Sequence, residues 1–293
     1  MQIIKGSRPR PTYPHDPIWY MDFEGHVHNM RDGYLFIADS CDELFSGKHQ
    51  DKERIFLTFE EPNFCTDADN QHARLAQYAD TILTLCPYTT AADTTGKRKQ
   101  VFIPYPESMI QTDFTKEHDV IYCGHYPQVG FWPKLIESIK KYNYIDIQYA
   151  RGNHSGCTYR DKILYYAHTK IAIVHNTSPV GTYADRFRAF PNAKNNRAFD
   201  WLQVGILPQL KSRTIEAAFN KCIILCLRDS WNVIEQYLEP EKDFIYFDSQ
   251  SDAEEKIKAI LADYHKHVYL AENAYKKVID KYTVKHFCEK HLT

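Results

Sequence analysis

The amino-acid sequence predicts an α/β protein of two Rossmann-like lobes, the N-terminal one small. Three observations carry that expectation. Short apolar, β-branched runs alternate with short helical patterns, and chains that alternate this way lay down parallel sheets. The alternation is interrupted by PYPES at 104–108 and the polar stretch up to Lys116, and then begins again. The 293 residues, 43% of them apolar, suffice for two cores of ordinary size. The expected lobes are residues 1–110 and 117–293.

Residues 1–20 are rich in proline and read as an extended arm. YLFIADS (34–40) and RIFLTFEEP (54–62) read as strands, QHARLAQYAD (71–80) as a helix, and DTILTLC (80–86) and KQVFIPYP (99–106) as strands. In the second lobe HDVIYCG (118–124) predicts a strand, WPKLIESIKKY (132–142) a helix and YIDIQYARG (144–152) a strand. YRDKILYYAHT (159–169) follows as a helix and KIAIVHN (170–176) as a strand. Residues 177–208 read as a long loop with one helix near Arg197–Val204. The stretch 209–247 predicts helix, strand, short helix, strand: Ser212 is the expected N-cap, and CIILCL has the continuous apolar character of a strand buried on both faces. SDAEEKIKAILADY (251–264) and HVYLAENAYKKVIDKY (267–282) are amphipathic helices that close the lobe.

Composition removes several classes of function. A net charge of −2 argues against a nucleic-acid partner. No apolar run approaches the roughly 20 residues of a membrane span. Proline and charge stand near the N-terminus where a signal peptide would be apolar. Eight cysteines lie scattered, several inside apolar runs, which is the usage of free thiols in a reducing, cytoplasmic setting.

In doubly wound sheets ligands lie beyond the C-terminal ends of the strands. That rule selects Gly124-His125, Arg151-Gly152-Asn153 and His175-Asn176. Lys211, Ser212 and Arg213 open a helix, and a cation, a guanidinium fork and bare helix N–H groups together suit a diphosphate. Glu216, one turn further, is placed to accept from sugar or ribose hydroxyls. Cys222 and Cys226 share a strand face and read as core. In the first lobe, His26 and His28 stand at i, i+2 on an expected strand, without a third ligand at useful spacing, so no metal is expected there. Asp22, His26, Glu60 and Glu61 are the candidates for a catalytic base, with Glu24 and His28 beside them. No D-x-D pattern stands at a convincing strand end, and no metal or other cofactor is expected.

RTIEAAFNKCIILCLRDSWNVIEQYLEPEKDFIYF, with the later AENAYKKVIDKYTVKHF, resembles the C-terminal domain of GT-B glycosyltransferases of the group 1 and spore-maturation-like kind. The shared features are an R-x-x-E-A helix, a strand, a second glutamate, a further strand and a closing helix pair. The resemblance implies a GT-B-like fold, with the E-A glutamate at Glu216 and a ribose-facing glutamate at Glu235. Two positions depart from the pattern. Asn220 replaces the glycine after the helix, which the left-handed tolerance of asparagine would accommodate. Pro208, with Gln209 beside it, stands where an acidic residue is usual. The implied activity is metal-independent transfer of a hexose from a nucleotide diphosphate sugar to a hydroxyl of a glycan or other acceptor. The alternatives are a nucleotide-sugar epimerase or hydrolase of the same shape, and a non-catalytic glycan- or nucleotide-binding module.

Overall fold

A computed structural model describes residues 1–5, 21–37, 41–58, 71–91, 93–124, 131–147, 156–179 and 206–293. The first sheet is parallel throughout and runs in chain order: β1 (Gln2–Ile4), β2 (Tyr34–Ile37), β3 (Arg54–Thr58), β4 (Thr81–Thr84) and β5 (Arg98–Gln100). Alternate residues serve opposite faces, as the pleat requires. Tyr34, Phe36, Phe56 and Ile82 pack with Leu44 of α2 (Cys41–Phe45) and Leu75 of α3 (Gln71–Tyr78). Leu35, Ile55, Leu57 and Leu83 face the other way, toward Phe23 of α1 (Phe23–His26). A short α4 (Pro87–Ala91) leads into β5.

Residues 23–29 are helical, α1 passing into a 3-10 turn over Val27–Asn29, where alternation had predicted a strand. Phe23 and Val27, one helical turn apart, are the buried pair that decides the geometry. His26 and His28 therefore do not share a face. The predicted strand 99–106 is also shorter. Its ladder ends at Gln100, and the still-buried Val101, Phe102, Ile103 and Tyr105 run on between the lobes.

The second sheet is likewise parallel. It contains β6 (His118–Cys123), β7 (Tyr144–Ile147), β8 (Thr169–His175), β11 (Ile223–Leu227) and β12 (Ile245–Phe247), in the order β12-β11-β8-β6-β7. Between β8 and β11 an antiparallel ribbon, β9 (Thr177–Pro179) with β10 (Ile206–Pro208), closes the two ends of the stretch predicted as loop. The helix expected near 197–204 lies outside the described residues. One face of the sheet, including Tyr122, Ile173 and Leu225, packs on α5 (Trp132–Ile139) and α8 (Gln250–Ala262). The other face, including Cys123, Val174 and Cys226, packs on α6 (Tyr159–Ala167) and α7 (Ser212–Phe219). On α5 the buried Trp132, Leu135, Ile136 and Ile139 recur at helical spacing, the stripe expected of a sheet-covering helix. No disulfide joins the described cysteines, and among the described residues no helix is long and apolar enough to cross a membrane.

After α9 (Tyr264–Ile279) the chain returns to the first lobe. Thr283 bridges to Tyr105, and its hydroxyl accepts from the His286 N–H to cap α10 (Val284–His291). Phe287 of α10 meets Phe23 and Phe102 edge-on, with ring centroids 5.5 and 5.4 Å away. The apolar cluster is thereby continuous from Leu35 to Ile121.

His291 ends this helix against Phe102 and Phe287, its Nε2 buried with no hydrogen-bond partner. Burial first, then Lys290 and Lys99, lower its pKa from 6.5 to about 4. The unfolded chain therefore binds the proton more readily, and stability must fall as pH drops from 6.5 toward 4. His291→Leu should flatten that part of the pH–stability curve in urea titrations. An unchanged slope would mean that His291 is not neutral in the folded state.

Candidate functional site

The order of the second sheet locates a crevice before any residue is considered. β7 lies on one side of β6 and β8 on the other, so the connections leaving β6 and β8 diverge, opening a gap beyond their C-terminal ends. Gly124 follows β6 there, His175 ends β8 with Asn176 just beyond it, and α7 starts opposite.

Asn176 is fully buried and sets the position of α7. Its Oδ1 accepts from the Lys211 N–H at 2.9 Å and from the Thr214 hydroxyl at 2.9 Å, while its carbonyl accepts from the Gln209 N–H at 2.7 Å. This corrects the expected cap. Lys211 is the N-cap residue, without a side-chain cap of its own, and Ser212 is the first helical residue. The amide just beyond β8 satisfies the helix start instead, a long-range partner that local patterning cannot supply. Lys211 extends its ammonium to Gln209 Oε1 at 2.7 Å. Pro208 closes β10 opposite Thr177.

Arg213 leaves α7 on one face of the sheet and lands on side chains of the other. Its Nη1 donates to Tyr122 Oη at 2.8 Å and lies 3.1 Å from His175 Nε2. The guanidinium crosses the sheet end above Gly124. There φ is +95°, a conformation that demands glycine, and a Cβ would fall 2.7 Å from Arg213 Nη2, so a side chain would have to displace the guanidinium. Trp132 packs on the imidazole at 4.9 Å. Burial pushes the thiol of Cys123, at the end of β6, up to about 11.

Glu216 faces inward. Its Oε1 accepts from Lys162 Nζ at 2.8 Å, with both side chains at most 3% exposed, and its buried Oε2 takes no hydrogen bond. Lys162 also lies 4.9 Å from the Tyr159 ring. Lys162 carries a signal of its place in the sequence. Tyr159, Lys162, Ile163 and Tyr166 stand at i, i+3, i+4 and i+7, which puts the lysine on the buried stripe of α6. Tyr122 carries no such signal, because an aromatic inside a buried strand looks like core. Nor does Asn220 take the left-handed conformation: its φ is −109°, and Lys221 has the positive φ, 51°. Asn220 is spent on packing, donating to the Glu216 carbonyl at 2.7 Å and to Tyr105 Oη at 3.2 Å.

Glu235 is exposed on a 3-10 turn (Val233–Gln236) and accepts from Tyr246 Oη at 3.0 Å. Its neighbour Gln236 accepts from Gln100 at 3.0 Å, so this turn stands where the lobes meet. Buried Asp229 holds the turn, accepting from the Trp231 and Val233 N–H groups, and burial raises its carboxyl above the usual range.

The first-lobe candidates lie elsewhere. Asp22 accepts from the Ser108 N–H at 2.8 Å, and His26 Nε2 lies 3.5 Å from Glu107, whose other oxygen accepts from the Lys285 N–H. Both thus contact the inter-lobe linker, whose Glu107 in turn holds the start of α10. Glu60, Glu61, His125, Arg151 and Asn153 lie outside the described residues. Among the described residues no group of three His, Cys, Asp or Glu could hold a metal.

Residues 133–293 match the family model described as glycosyl transferase-like. No curated protein sequence matches the chain. Among solved structures it is similar to HepE of Anabaena in complex with UDP and glucose, at 11% identity over 87% of this chain and 76% of that one, with a TM-score of 0.57. It is also similar to an alpha-glucosyltransferase in complex with UDP-glucose and DNA containing an abasic site, at 10% identity, covering 98% and 88%, with a TM-score of 0.56. TarM of S. aureus is matched at 11% identity with a TM-score of 0.50, over 89% of this chain but only 55% of that one.

The Lys162–Glu216 pair generates a stability prediction. Lys162→Met should cost about 3–5 kcal/mol in urea denaturation, because it strands a buried carboxylate, and Lys162→Met with Glu216→Leu should recover most of that loss. A single-variant cost below about 1 kcal/mol would mean the pair is hydrated like a surface ion pair.

Proposed function

The chain belongs to the glycosyl transferase-like family and has the GT-B fold, and from that premise we propose that it transfers a hexose from a nucleoside diphosphate donor to a hydroxyl acceptor. The observation that carries this reading is the guanidinium of Arg213, fixed across the end of β6 in the crevice at the switch point of the sheet. Arg213, Lys211 and the N–H groups at the start of α7 are the groups that would receive a diphosphate.

The second lobe, 117–293, is read as the donor lobe and the first, 1–110, as the acceptor lobe. When the sugar leaves, charge builds on the β-phosphate. A fixed guanidinium and helix N–H groups offset that charge without reorganising, and so lower the barrier. These cations do the work a divalent ion could otherwise do, so the reaction is read as metal-independent. Glu235, exposed where the lobes meet, is read as the acceptor for the ribose hydroxyls. Glu216 acts from behind, through the helix that carries Arg213. Glu60 and Glu61 are the candidates for a base on the acceptor hydroxyl. The complexes of HepE with UDP and with UDP-glucose support a uridine nucleotide as the first donor to try.

Arg213→Ala should weaken nucleoside diphosphate binding by about 2–4 kcal/mol in calorimetry, and Arg213→Lys should recover only part of it because the planar fork is lost. Unchanged affinity in a folded Ala variant would remove Arg213 from the site. Transfer should also proceed equally in excess EDTA and in added magnesium or manganese. Complete loss in EDTA, restored by one metal, would overturn the charge assignment. Turnover of the donor at full rate with no acceptor present would point to a hydrolase instead.

A further inference from the structure

Arg213 reaches the crevice with one terminal nitrogen already committed. Nη1 lies 2.8 Å from Tyr122 Oη and 3.1 Å from His175 Nε2, and the phenol and imidazole are 2.9 Å apart. A guanidinium nitrogen carries hydrogens and offers no lone pair, so the contact with Nε2 is attractive only if Nε2 is bare. The imidazole must then be neutral with its proton on Nδ1. That proton has an acceptor in place, Thr177 Oγ1 at 2.9 Å. Tyr122 and His175 are both buried, and Thr177 is held by its pairing with Pro208.

Nη1 thus donates to Tyr122 Oη, and the single lone pair of Nε2 faces both Nη1 and the Tyr122 hydroxyl. Nη2 lies against Gly124, and the Arg213 side chain makes no further hydrogen bond among the described residues. What the guanidinium retains for an anion is its other edge, Nε together with Nη2, which has the spacing for two oxygens.

We propose that Tyr122 and His175 are positioning residues for the diphosphate: they lock Nη1 of Arg213 and present its Nε–Nη2 edge, ordered in advance, to two phosphate oxygens. The inference rests on the reading of Arg213 as the diphosphate ligand. It adds that the arrangement depends on a single histidine tautomer, and that the fork binds side-on.

Calorimetric titration with UDP and with inorganic pyrophosphate tests it on wild type and four variants. Arg213→Ala should lose most of the affinity for both probes. His175→Leu and Tyr122→Phe should each weaken both about three- to tenfold, because a loosened guanidinium must be ordered on binding. His175→Gln keeps an acceptor near the Nε2 position and should stay within about twofold of wild type. Nitrogen NMR of the ligand-free protein at neutral pH, with His175 assigned by its absence in His175→Gln, should show the Nδ1–H tautomer. If His175→Leu does not fold, Tyr122→Phe, which removes one hydroxyl, carries the test. Wild-type affinity in Tyr122→Phe and His175→Leu, alongside loss in Arg213→Ala, would overturn the positioning role and leave the diphosphate reading intact. An imidazolium or Nε2–H tautomer at His175 would also overturn it. Wild-type affinity in Arg213→Ala, or no binding by wild type, would overturn both.

Discussion

The buried amide of Asn176 joins the end of a strand to the start of a helix, and the site is assembled around that joint. Its oxygen takes two donors from α7, and its backbone carbonyl takes a third from Gln209. In water those donors would find other partners at little cost. Inside the protein each unsatisfied group would cost on the order of 1–3 kcal/mol. The helix is therefore held in both register and direction, and Arg213, one residue into it, is aimed at the end of β6 rather than left to search. The glycine at 124 is the other half of the constraint, because any side chain there would occupy the path of the guanidinium.

The far end of the same helix is held as firmly. Phe219 stacks on Tyr105 with ring centroids 4.1 Å apart, and Asn220 donates to the Tyr105 hydroxyl. Tyr105 belongs to the segment between the lobes. From α6, Lys162 grips Glu216 in the middle of the helix. A helix of eight residues is thus tied to β8 at one end, to the inter-lobe segment at the other and to a neighbouring helix between. A buried ion pair adds little net stability compared with apolar packing, so its value here is in fixing one arrangement.

Much of this was legible in the sequence, and the parts that were not share a cause. The strand at 118–123 is legible to within one residue because its apolar run is bounded by charge and glycine, and CIILCL announces a strand covered on both faces. Local signals failed where a distant partner decided the outcome. Ser212 looked like a cap because serine is a good one, but Asn176, just beyond a distant strand, does the capping. His26 and His28 alternate like strand residues, yet Phe23 and Val27 need one face of a helix. Arg213 could be picked out by its place at a helix start. Its partners Tyr122 and His175 could not be, since a tyrosine in a buried strand has no local mark of its second task.

The return of α10 to the first lobe also bears on how the chain comes to be folded during synthesis. Phe287 packs on Phe23 and Phe102, on the same side of the first sheet as Leu35 and Leu57. These first-lobe groups leave the ribosome early, but the helix that covers them is made only after the whole second lobe. Until then that apolar face, although α1 and the inter-lobe segment lie on it, lacks the part of its cover that Phe287 supplies. The lobe translated first is the last to be sealed, and the nascent polypeptide is most in need of a chaperone over that interval.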